Sequence, residues 1–180
     1  MNKKLNYMKN STSSCFNFFR SIPISVLTLM MLFVSISSDC QEMKTINTNA
    51  SEAFNNAYKA HSSENILDAK FYAQNALAAA RETKVALMNT EKSLTELLQT
   101  IVNNSENATL IDNINDQKEE VKKALENAIK AYNYAEKACN SIDLEELQIN
   151  AKQVVNASEK VMKQTVSIQH YSDIINASIK

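Results

Sequence analysis

The 180-residue chain contains no glycine. Glycine supplies the positive φ angles of tight hairpins and lets backbone come close to a phosphate. Its absence counts against hairpin-rich β folds, P-loops and dinucleotide-binding turns together. There is one proline and no tryptophan. Asparagine is the commonest residue, but alanine, lysine, glutamate and leucine are also abundant, and these favour helix. The length suits one ordinary domain, and no second hydrophobic core is evident.

Hydrophobic periodicity gives the helices their expected faces. Between 109 and 139, Ile114, Val121, Ala128 and Ala135 interleave with Lys118, Leu125, Tyr132 and Cys139. That alternating four-three spacing is a coiled-coil-like seam with one lysine interruption. The last segment repeats it through Leu144, Leu147, Ala151, Val154, Ser158, Val161, Thr165, Ile168, Ser172, Ile175 and Ile179. In the second, Ile66, Ala73, Leu77, Ala80, Leu87, Leu94, Leu98 and Ile101 form the stripe, with Lys70, Lys84 and Glu91 in register. Ile46, Ala50, Ala53, Phe54, Ala57 and Tyr58 mark a shorter first helix. Without glycine, other residues must punctuate. Asn103 or Asn104 and Asn140 are the expected stops, Ser62 or Ser63 a cap, and Asp143 with Glu146 an acidic capping box.

The expected fold is therefore all-α: an elongated antiparallel up-down bundle with helices near 43–61, 64–103, 109–139 and 143–178. A three-helix version, with the first break bent rather than open, is the alternative. A faint echo between "AYKAHSSENILDAKFYAQNA" and "AEKACNSIDLEELQINA" suggests a duplicated hairpin.

The N-terminus reads differently. Residues 1–20 are polar and basic, and "IPISVLTLMMLFVSI" (22–36) is an apolar run too short to span a bilayer comfortably. With Ser35 and Ser37 following, this is the pattern of a signal peptide (1–38) cleaved after Ser37 or Ser38, ahead of a single domain, 39–180. Export to the periplasm, the outer surface or the exterior follows. Cys40 then lies just past the cut. A lipoprotein reading of Cys40 is the alternative, although Asp39 and Ser37 fit a lipobox poorly. A disulfide between Cys40 and Cys139 needs Cα atoms within about 7 Å, and the expected helix lengths leave the two well apart.

Charge and chemistry narrow the function. The first 39 residues hold four of the 19 basic residues and one of the 20 acids, so the rest is mildly acidic. No basic stripe with interleaved aromatics occurs, and nucleic acid is not an expected partner. The two histidines, His61 and His170, make no Glu-x-x-His pair, and no Cys-x-x-Cys occurs. Hence no metal or cofactor is expected. His61 and Glu64 offer two ligands without a third, and a Cys–His nucleophile pair would have to use Cys139 or Cys40 with His61. No nucleophile–base–orienter set assembles, so an enzyme is not expected. Asn-x-Ser/Thr triplets at Asn49, Asn103, Asn107, Asn156 and Asn176 read as chance in an asparagine-rich chain.

One distribution is uneven. Phe54, Tyr58, Phe71, Tyr72, Tyr132 and Tyr134 gather near the first and third breaks, which the fold brings to one end. Bulky core layers are the simplest account, with Tyr132 in the seam and Tyr134 off it. The functional alternative is a ligand or partner end formed by Tyr58, His61, Phe71, Tyr72, Tyr132 and Tyr134. The sequence thus points to an exported helical-bundle binding or structural protein with an unknown protein partner. Self-association is compatible with it, as is membrane attachment through a lipidated Cys40 or a retained signal. A bundle enclosing a small apolar ligand is the alternative function.

Overall fold

The computed structural model describes the backbone of residues 24–104 and 107–179, with side chains for 42–103 and 107–178. Residues 1–23 of the expected signal segment lie outside the described backbone, and the side chains at its expected cleavage sites and at Cys40 lie outside the described side chains. Residues 35–180 form one compact unit and 1–34 another.

Four helices are present: α1 (Ile24–Ser62), α2 (Ile66–Asn104), α3 (Ala108–Asn140) and α4 (Leu144–Ile179). Three-residue connections force neighbours to run antiparallel. Within the unit, α3 packs broadly against α2 and α4, while α2 and α4 barely touch and so lie on a diagonal. The hydrogen bond from Thr165 Oγ1 to Asn47 Oδ1 (3.4 Å) places α1 beside α4. The result is an up-down four-helix bundle, and the first break is open rather than bent.

The caps show why the helices stop where they do. Asp143 Oδ1 accepts from the Glu146 amide (2.8 Å). Glu146 Oε2 reaches back to the Ile142 amide (3.4 Å), completing the expected capping box one residue early. At the first break the cap is Asn65, whose Oδ1 accepts from the Asp68 amide (2.9 Å). Ser63, an expected cap, instead donates to the Lys59 carbonyl (2.7 Å). Asn107 caps α3 through the Leu110 amide (3.1 Å). Among the described residues no backbone adopts positive φ, so α3 ends on Asn140 through an extended Ser141. The first helix also starts well before 43, because nothing in 24–42 breaks it.

The seams differ from expectation in one consistent way. In α3, Ile114, Val121, Ala128 and Ala135 are buried, but their partners are Gln117, Ala124, Ala131 and Ala138. Lys118, Leu125, Tyr132 and Cys139, placed in the seam by the sequence periodicity, are only half-buried. In α2 the buried second row is Ala69, Ala76, Thr83, Thr90 and Leu97, each one residue before Lys70, Leu77, Lys84, Glu91 and Leu98. The cause is side-chain size. Interaxial distance follows the residues at the contact, so alanines let helices close up. Larger and charged neighbours then ride beside the seam with their stems along it. The lysine and glutamate interruptions disappear. In α4 the expected residues from Leu147 to Ile175 are all buried, and Leu144 is half-buried.

Candidate functional site

The end with the 63–65 and 141–143 connections carries the aromatic side chains singled out above. Its interior is made of alanine. Ala60, Ala69, Ala73, Ala138 and Ala151 close around Leu147. The next layers add Ala53, Ala57, Ala76, Ala80, Ala131 and Ala135 with Val154. These side chains are too small to leave room for rings between the helices, and the expected bulky aromatic layers are absent. Tyr132 and Tyr134 are both half-buried against this alanine cluster, so neither stands in the seam.

Polar contacts tie the two hairpin tips together. His61 Nδ1 lies 3.0 Å from the Gln148 carbonyl, across α1 and α4. Gln148 Nε2 donates to the Ser63 carbonyl (2.8 Å). Ser141 is buried and donates to the Lys137 carbonyl (2.9 Å). His61 is thus a clasp between helices, and Glu64, its proposed co-ligand, is exposed. Among the described residues no group of three or more His, Cys, Asp or Glu side chains converges to hold a metal ion.

Cys139 is a free, half-buried thiol. Burial, reinforced by Glu136, pushes its pKa above the ordinary thiol range, with Lys70 opposing. Less thiolate at neutral pH means a poor nucleophile. His61 is engaged with α4, and no hydrogen bond joins it to Cys139.

Apart from His61, the candidate residues divide into two groups. Lysines stand over three of the rings: Lys59 over Tyr72 (5.4 Å), Lys84 over Tyr132 (4.1 Å) and Lys137 over Tyr134 (5.2 Å). Cation–π contact satisfies these faces internally. Phe71 meets Tyr72 edge-on at 5.4 Å yet remains 59% exposed, and Tyr58 is 58% exposed. Three aliphatic residues near the same connections are also exposed: Leu67 (78%), Ile142 (88%) and Ile149 (56%). The sequence reading missed these three. The only available signal was register, since Leu67 falls one place past the seam residue Ile66.

Two open grooves of about 550 Å³ each lie elsewhere. One runs between α1 and α4 past Met43, Asn47, Thr165 and His170. The other runs between α2 and α3 past Met88, Thr95, Leu125 and Ile129. Among the described residues no helix is long and apolar enough to cross a membrane. No protein-family model, curated protein or solved structure matches the chain.

Proposed function

We propose that this chain is an exported helical-bundle protein of the cell envelope or exterior that binds a partner protein through its aromatic-bearing end, without catalysis. One observation carries the binding reading: large apolar side chains stand more than half exposed over a core already sealed by alanine. Leu67 and Phe71, exposed four residues apart on one face of α2, are apolar groups of the kind that mark interaction sites. Export rests on the basic, then apolar, then small-residue order of the N-terminus. The alternative of an enclosed apolar ligand is less favoured, because the core beneath the aromatics is made of alanine with Leu147 and Val154 and the two grooves described are open.

The test is affinity capture from an envelope or culture fraction with wild type and Phe71→Ala. The recovered chain should begin at Ser38 or Asp39, and a specific co-purifying protein should be lost with Phe71→Ala at unchanged melting temperature. An intact Met1, or a fatty acid on Cys40, would replace export of a free chain by anchoring. A partner retained by Phe71→Ala and by Leu67→Ala would move the binding face elsewhere.

A further inference from the structure

We infer that the end bearing Leu67, Phe71 and Ile142 is a docking surface for a basic amphipathic helix of the partner. This rests on the partner-binding reading above and adds the partner's chemistry. The described residues include ten exposed large hydrophobics, and five of them fall on 58–71 and 142–149. All five lie within about 9 Å of the two connections along the helix axes. Leu67 and Phe71, four residues apart, share one face of α2. They present the paired anchors that an apolar helix face takes up.

Charge selects among occupants. Two helix N-termini and two C-termini meet at this end, so their dipoles largely cancel and side chains set its field. Residues 58–72 and 134–149 carry six carboxylates against three lysines, and all six acids are exposed. Lys59 and Lys137 contact tyrosine rings but stay exposed and charged, so this end carries three more acids than lysines. Asp68, Asp143 and Glu146 already accept local hydrogen bonds, but their charge remains. A second copy set end to end would meet like charge, and so would an anionic bilayer. Lysine or arginine beside apolar residues would meet both features at once.

The experiment uses the full chain and two labelled synthetic helices of equal hydrophobicity, one with lysine on its polar face and one with glutamate. Fluorescence anisotropy should show the lysine peptide binding tighter than about 100 µM, weakening as salt rises. The glutamate peptide should bind at least about tenfold more weakly. Phe71→Ala and Leu67→Ala should each cut binding about tenfold or more, and Met88→Ala, in the α2–α3 groove, should not. Glutamate-peptide binding that is lost in Phe71→Ala would overturn the charge choice while leaving a partner face. Failure of both peptides, or binding indifferent to Phe71 and Leu67, would overturn the docking surface itself. Phe71-dependent binding to phosphatidylglycerol vesicles would overturn the proposal in favour of lipid, and end-to-end dimers in sedimentation would overturn it in favour of a second copy.

Discussion

The two halves of the bundle are built from different material. Toward the 63–65 and 141–143 connections the interior is alanine, relieved only by Leu147 and Val154. Toward the α2–α3 turn it holds Leu87, Leu94, Ile101, Ile114, Val161 and Ile168, together with buried Thr90, Gln117, Thr165 and Ser172. Burying a leucine contributes about 1.5–3 kcal/mol, a methyl group nearer 0.8. The aliphatic half therefore supplies most of the stability, while the alanine half brings helices close. Close helices have no room for rings. The bulk of the alanine half sits outside, half-buried under lysines or more than half exposed as Phe71 and Leu67. What one half invests in its core, the other presents to its surroundings.

Three substitutions sharpen or break that comparison. The largest effect should come from Leu87→Ala, which opens a cavity at a fully buried position and should cost about 2–5 kcal/mol in denaturant unfolding. Ala135→Leu should come next. It overfills an alanine layer and should cost about 1–3 kcal/mol. A stabilising Ala135→Leu would mean that this half is loosely packed, and the division would fail. The smallest effect belongs to Ser158, whose buried hydroxyl lacks a hydrogen-bond partner. Ser158→Ala should gain about 1 kcal/mol by removing an unsatisfied group. A loss there would show that the hydroxyl is satisfied in solution.

The fold was legible because seven-residue periodicity survives in every helix, and because a chain without glycine has few other choices. The second row of α2 and α3 was not. Alanine is a strong helix former that sits equally well at the surface, as Ala78, Ala108 and Ala177 do here. Leu125 and Tyr132 looked like better core residues than Ala124 and Ala131, and hydrophobicity alone favoured the wrong row. The site was legible only in part. Clustering of aromatics at one end could be read from the breaks, but exposure depends on register. An error of one residue in the second row promoted Tyr132 over Ala131.

The polar pair deep in the aliphatic half has a consequence for alignment. Gln117 Nε2 donates to Ser172 Oγ at 2.6 Å, with both side chains buried. A seam that repeats every seven residues looks nearly the same after a slide of one heptad, about 10.5 Å. Alanine layers cannot detect such a slide. Moving α4 by one repeat would part Gln117 from Ser172 and set the bulkier, β-branched Thr165 opposite it. The three-residue link between α3 and α4 is too short to follow the movement. Gln117 and that link together act as a detent, holding in one alignment a pair of helices whose repeat would otherwise let them settle in several.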